Sequence, residues 1–290
     1  MMETAQLNGV QLAYEMKGSG EPLLLISPMI ADGFLPFFAA PPLVDRYCLI
    51  RYHRRGWSSS THTTVPVSIT DHAADAAGLL DALGVSRAHV AGHSSGGVIG
   101  LQLAVDRPDL LHSLTLLEPS LLAVPSAQSF FQSAASALEA YRTGDHERAV
   151  AGFLTVVSGF DWDTCRAVID DHVPGAVAQA IRDADTMFGM ELPALGAWEF
   201  GPEEAAAISG PVLSVLGTET DRLWVEVATL LRSWLPHIEE LAVGGAGHLL
   251  HIERPEPVAR GVAAFLGRHP MLAAERAAPH AEARPAATAR

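Results

Sequence analysis

The pentapeptide Gly92-His93-Ser94-Ser95-Gly96 lies between a strand-like run, Ala88-His89-Val90-Ala91, and a helix-like stretch, Gly96 to Val105. No other feature of the chain restricts its fold so tightly. A G-x-S-x-G turn between strand and helix is sharp enough to hold its serine in a strained backbone conformation. Residues two places either side of that serine then approach too closely for a Cβ atom, and both are glycine. Ser94 is expected to project at the carboxyl end of a sheet. The Ser95 N–H should lie at a helix N-terminus, where developing negative charge is stabilised. The bland alternative is a glycine-rich turn without chemistry.

The flanking sequence alternates as such a turn requires. Strands are expected at Val10–Glu15, Leu23–Ile26, Tyr47–Tyr52, Ala88–Ala91 and Leu114–Leu117. The unbroken apolar runs among them suit strands buried on both faces. A helix from Thr70 to Leu83 has Thr70 as its N-cap, Ala76, Leu79, Leu80 and Leu83 as its apolar stripe, and Gly84 as its stop signal. Residues 121–207 then offer helices without strands: Ser126–Tyr141, Asp145–Val157, Asp161–His172 with Asp161 as N-cap, and Pro174–Met187 with proline in its first turn. Alternation resumes with a strand at Val212–Leu216, a helix at Leu223–Trp234, a strand at Ile238–Val243 and a helix at Val258–Leu266. The fold class is α/β, a mostly parallel central sheet with helices on both faces and a helical cap insertion. The core divides into 1–120 and 208–270, the cap is 121–207, and alanine-rich 271–290 is expected to be a disordered tail.

Composition removes several classes of function. Of 290 residues, 49% are hydrophobic, enough for a large core. With 19 Lys+Arg against 33 Asp+Glu the net charge is -14, which repels phosphate backbones, so nucleic acid is not expected as a partner. The run Leu23-Leu24-Leu25-Ile26 is far short of a membrane span, and Met1–Gln6 lacks a signal-peptide pattern. Two cysteines, Cys48 and Cys165, do not make a disulfide framework. A cytoplasmic protein with no membrane partner is expected, and a homodimer is left open. No metal-ligand cluster appears, the Gly92–Gly97 turn lacks G-x-G-x-x-G, and no lysine follows it, so no cofactor is expected.

A serine hydroxyl needs a base within hydrogen-bond reach. Of 13 histidines, His248 in Gly244-Gly245-Ala246-Gly247-His248 follows the last strand on a small-residue loop, which returns it to the carboxyl edge beside Ser94. His251 reads as structural or pocket-lining, and His93 as pointing away from the serine's proton. His53, His62, His72 and His89 precede the turn and read as solvated or satisfied.

These residues together resemble the α/β-hydrolases over about 7–268, and the order serine, acid, histidine agrees with that family. The family's oxyanion-hole loop often begins His-Gly. Here it reads Ser27-Pro28-Met29, and by position Met29 would supply the second backbone N–H beside that of Ser95. The loop Arg55-Gly56-Trp57-Ser58 resembles the family's R-G-x-G-x-S turn, with Ser58 where glycine is usual. The acid departs from the common pattern. Most members carry it after the strand that is Val212–Leu216 here, as G-x-x-D, yet this chain has Gly217-Thr218-Glu219-Thr220-Asp221. Thr220 fills the expected place and Asp221 is one residue late, in a position that also suits an N-cap. A subset of the family places the acid after the preceding core strand, where Glu118 stands. Pro119 should bias Glu118 toward an extended backbone. Glu118 is the favoured acid and Asp221 the alternative, with Glu219 or no acid behind them.

The Ser94-to-Glu118 interval and the Ser94-Ser95-Gly96 elbow resemble zearalenone-type lactone hydrolases, which points to lactone or ester substrates. The cap region is rich in large apolar residues, with Phe160, Trp162, Phe188 and Trp198 as candidates to touch substrate, and no arginine cluster for a second anion. The expected partner is therefore a small, neutral, hydrophobic ester or lactone. A carbon–carbon bond hydrolase or cofactor-free perhydrolase of the same fold also keeps serine and histidine. In another class, a ligand-binding receptor could retain the three residues without turnover.

Overall fold

The protein is described by a computed structural model over residues 2–272. The expected tail at 271–290 lies outside the described residues, apart from Met271 and Leu272. Met271 is buried.

Eight strands form one sheet among the described residues: β1 (Glu3–Leu7), β2 (Val10–Lys17), β3 (Glu21–Ile26), β4 (Tyr47–Tyr52), β5 (Ala88–His93), β6 (Leu111–Leu117), β7 (Val212–Gly217) and β8 (Glu239–Val243). Their order is β1-β2-β4-β3-β5-β6-β7-β8. β1 and β2 pair antiparallel, as do β2 and β4, and the remaining pairs are parallel. β1 was not expected from the sequence because it is a mostly exposed edge strand with little apolar pattern. Its signal was the Asn8-Gly9 turn, where both residues take positive φ as a tight hairpin demands.

Successive residues of the central strands feed opposite faces. Leu24, Ile26, Ile50 and Val90 enter one core cluster, and Leu23, Leu25, Leu49 and Ala91 enter the other. Chain direction across the sheet reverses at β3 and β5, which pair directly with Ile26 opposite Gly92. The crevice beyond the carboxyl ends of two such strands is where open α/β sheets bind ligands.

Two of the expected helices differ in their cap or their continuity. The first runs Ile69–Ala82, capped by Ser68 rather than Thr70. Ser68 Oγ accepts from Asp71 N–H at 3.0 Å, and Asp71 Oδ2 accepts from Ser68 N–H at 2.9 Å, a reciprocal pair that an isolated threonine cannot match. The expected helix Pro174–Met187 is instead broken. Pro174 precedes the helix Ala176–Arg182, a short turn Ala184–Thr186 follows, and a π-helical turn, Met187–Glu191, leads into Leu192–Ala197. The interruption fits the segment onto the core: Asp183 Oδ2 accepts Ser58 N–H at 3.0 Å and Thr186 Oγ1 donates to Gly56 O at 2.6 Å. Ser58 has φ +47, a conformation that explains why glycine is usual there. Among the described residues no helix is long and apolar enough to cross a membrane.

Gly92 permits the tight turn. A Cβ there would lie 2.2 Å from Gly96 O, and one on Gly96 would lie 2.0 Å from Ile26 O. Both obstacles are backbone, so neither can swing aside. Gly92→Ala should therefore lower unfolding stability by at least ~1–3 kcal/mol. Gly196→Ala, at an exposed position with nothing within 4 Å, should raise it by ~0.4–1 kcal/mol. Denaturant melts of the two variants check this; a harmless Gly92→Ala would contradict the turn's geometry.

Candidate active site

Ser94 has φ 54 and ψ -121, the strained turn conformation expected from its motif. Its N–H donates to Leu117 O at 3.0 Å, so the turn is tied to the end of β6. Ser94 Oγ lies 3.1 Å from His248 Nε2, and His248 Nδ1 lies 2.8 Å from Glu118 Oε2. The three side chains come from the ends of β5, β6 and the loop after β8. Ser94, His248 and Glu118 are thus brought into one hydrogen-bonded chain.

Glu118 does not have the extended backbone that Pro119 suggested. Its φ is +41, a costly conformation for a residue with a Cβ, while its N–H still donates to Val215 O at 3.2 Å. The bend turns the carboxylate along the sheet edge toward β7. There Oε1 accepts Gly217 N–H at 2.8 Å, and Oε2 accepts the Thr220 hydroxyl at 2.9 Å. Thr220 fills the place where the family usually carries its acid, and its hydroxyl now holds a carboxylate from the neighbouring strand. Asp221 is elsewhere: it caps the helix Arg222–Trp234, with Oδ1 accepting Leu223 N–H at 2.9 Å. Glu219 is exposed.

Burial disfavours charge at both ends of the Glu118–His248 pair. It pushes the Glu118 carboxyl up, against the pull of the Gly217 N–H and the Thr220 hydroxyl, and it pulls the His248 imidazole down. The two titrate as one unit. Neutral His248 then keeps its Nδ1 proton on the carboxylate and leaves Nε2 free to accept from Ser94.

Further residues brace His248. The Trp224 ring lies parallel to the His248 ring, centroids 3.7 Å apart and planes 7° from parallel. His93 does not reach the serine hydroxyl's proton, but its Nε2 donates to His248 O at 2.8 Å. His93 also packs 4.2 Å from His251, which sits against Phe34. Burial holds His93 and His251 well below the ordinary imidazole value; repulsion from His248 adds to it for His93, and repulsion from His93 and His248 for His251. A stack of uncharged rings therefore supports His248. His53 pairs with Asp32 at 3.0 Å, His89 lies between Glu21 and Ser113, and His62 is exposed. His72 is buried, and burial brings it down to about 4. Ser120 went unnoticed in the sequence although it follows Glu118-Pro119 directly. Its hydroxyl is 2.8 Å from Ser94 Oγ and faces the same cavity.

Ser95 opens the helix Ser95–Asp106, so its N–H has no acceptor within the helix. Pro28 and Met29 line the cavity with Ser94, following the strand that pairs with β5. The rest of the lining is apolar and comes largely from the helical region: Phe130, Phe131, Phe153, Leu192 and Leu195, with Leu122 and Trp224. Phe160, Trp162, Phe188 and Trp198 do not line it. Phe188 stacks on Tyr141 with centroids 5.1 Å apart, and Trp198 Nε1 donates to Gln102 at 2.7 Å. Phe160 and Trp162 border separate grooves. Aromatic content marked the right region, but which helix face meets the sheet is set by packing that no local pattern encodes.

The alpha/beta hydrolase fold pattern matches residues 22–255. The chain is 39% identical over 116 residues to a protein of Azorhizobium caulinodans carrying the name carbamate hydrolase RutD; the match covers 40% of this chain and 44% of that protein, less than half its length. A Caulobacter segnis protein of the same name is 26% identical over 91% of this chain and 99% of its own. The solved structure of an enol-lactonase from Burkholderia xenovorans superposes with a TM-score of 0.72 at 23% identity, over 91% of this chain and 100% of that one.

The Thr220 hydroxyl favours the ionised form of Glu118, so its loss should raise the pKa of the pair. The form with an unprotonated Nε2 and a charged carboxylate is then lost at higher pH than before. Thr220→Val should move the acid limb of kcat/KM upward by roughly 1–2 pH units, the equivalent of one hydrogen bond to a charged group. A pH profile with an unmoved acid limb would contradict this.

Proposed function

The chain belongs to the α/β hydrolase family, and we propose that it is a serine hydrolase that cleaves a carboxylic ester or lactone of a neutral, hydrophobic small molecule. One observation carries the reading: the Ser94–His248–Glu118 chain of hydrogen bonds opens into a cavity with no charged residue in its lining. Ser94 Oγ attacks the carbonyl carbon while its proton passes to His248 Nε2. Glu118 holds His248 in the tautomer that can accept it and stabilises the resulting imidazolium. The Ser95 and Met29 N–H groups meet the negative charge that develops on the carbonyl oxygen. His248 returns its proton to the leaving alkoxide, and water, activated by the same base, releases the acid from Ser94.

The lining also bears on substrate class. A charged acyl group would lose its hydration here without gaining a partner. Relatives carry the name carbamate hydrolase, but a polar carbamate would find few hydrogen-bond partners in this apolar lining, so esters and lactones fit better. The cavity is small, about 50 Å³, which favours compact acyl groups over bulky, branched ones.

A panel of p-nitrophenyl esters and aliphatic lactones tests the reading. Turnover should be higher for linear than for branched acyl groups, and Ser94→Ala should lower kcat by ~10⁴-fold or more. Binding of the panel without turnover by the unmodified chain would favour a receptor, and turnover that survives Ser94→Ala would remove the serine from the mechanism.

A further inference from the structure

Behind the oxyanion loop lies a buried ion pair that these steps do not use. The side chains of Arg54 and Glu191 are 1% and 0% exposed, and Nη1 of Arg54 is 2.7 Å from Oε2 of Glu191. Two charges so fully removed from water are tolerated only when further hydrogen bonds complete them. Trp57 Nε1 donates to the same Glu191 oxygen at 2.8 Å, and the Arg54 guanidinium lies over the Trp57 ring, 5.3 Å from its centre. The other end of the guanidinium faces the site. Arg54 Nη2 donates to Pro28 O at 2.9 Å and approaches Ser95 Oγ at 3.5 Å. Arg54 therefore touches both segments whose N–H groups flank Ser94. Its neighbour Arg55 turns away to Asp75, at 2.8 Å.

Peptide geometry gives this contact a consequence. The Pro28–Met29 bond is trans, as is every peptide bond of the described residues, so its C=O and N–H point in opposite directions. With the carbonyl drawn into the core by Arg54, the Met29 N–H is left toward the cavity that Pro28, Met29 and Ser94 line. A rotated peptide would instead aim a carbonyl oxygen at the forming oxyanion. Glu191, which seats Arg54, ends the π-helical turn Met187–Glu191 of the helical region. Burial pushes its carboxyl up, but Arg54 foremost, with His72, brings it below its usual value, so the Glu191 carboxylate stays charged.

We propose that Arg54 is the positioning residue of the oxyanion hole, seated by Glu191 and Trp57 and holding the Pro28 carbonyl so that the Met29 N–H faces the reacting carbon's oxygen. The proposal rests on the serine-hydrolase reading above. It gives the helical region a part beyond covering the cavity, because the hole is fixed only while Glu191 is docked.

The test compares the unmodified chain with Arg54→Met, Arg54→Lys and the double variant Arg54→Met/Glu191→Met. Each is assayed for ester turnover and for inhibition by a linear trifluoromethyl ketone, to which Ser94 Oγ adds to give an oxyanion while its proton passes to His248. Arg54→Met leaves Glu191 unpaired and is the variant at risk of not folding. The double variant removes both charges and Arg54→Lys keeps both, so these two decide the matter if it fails. The folded variants should lose about 10²-fold in kcat and in affinity for the ketone, with KM little changed. A folded Arg54→Lys or double variant that binds the ketone as tightly as the unmodified chain overturns the positioning role alone. Failure of a fluorophosphonate to label Ser94 in the unmodified chain overturns the hydrolase reading, and this proposal with it.

Discussion

The arrangement of the site depends on how one buried carboxylate is satisfied. Glu118 is almost wholly removed from water, and a carboxylate so placed costs several kcal/mol unless hydrogen bonds replace its hydration. Three donors do so: the Gly217 N–H, the Thr220 hydroxyl and His248 Nδ1. Two of them come from the end of β7 and its following loop, and the third is the base. The same contacts that make burial tolerable therefore fix the base's ring, its tautomer and its distance from Ser94. The positive φ of Glu118 is the backbone cost of that arrangement.

The sheet makes these encounters local in space although they are distant in sequence. β3, β5, β6, β7 and β8 are successive parallel neighbours, so their carboxyl ends lie in a row. Met29, Ser94, Glu118 and Thr220 follow four adjacent strands, and His248 follows the fifth. An acid can thus move from the end of β7 to the end of β6 and still meet the same histidine, provided its side chain is longer and its backbone bends back. Glutamate in place of aspartate, and φ +41 in place of an extended backbone, supply those two adjustments. The helical region closes the crevice from above with Phe130, Phe131, Phe153 and Leu192.

Much of this was legible in the sequence because it is local. Gly92-His93-Ser94-Ser95-Gly96 encodes its own turn, since two glycines and a strand-to-helix junction are short-range features. His248 was legible from the small-residue loop that carries it, and Glu118 from its place after Leu114–Leu117, where a subset of the α/β-hydrolases carries the acid. The unread features join distant segments. Thr220 to Glu118, Trp224 to His248 and Arg54 to Glu191 are contacts across elements, and neither periodicity nor capping patterns register them. The four aromatic residues expected to touch substrate turned elsewhere for a related reason. Helical spacing shows that a face is apolar, but not whether it meets a cavity, another helix or the sheet. The bend at Glu118 is a further case, in which tertiary hydrogen bonds overrode the local bias from Pro119.

The central claim is that Glu118, and not Asp221, holds and charges the base. It is tested most directly by comparing kcat for ester hydrolysis in Glu118→Gln and Asp221→Asn. Glutamine keeps the shape of Glu118 but cannot stabilise the imidazolium, so kcat should fall by ~10²–10⁴-fold. Asparagine caps a helix nearly as well as aspartate, so Asp221→Asn should retain most of its activity at a cost of at most ~1 kcal/mol in stability. An active Glu118→Gln beside an inactive Asp221→Asn would contradict the account.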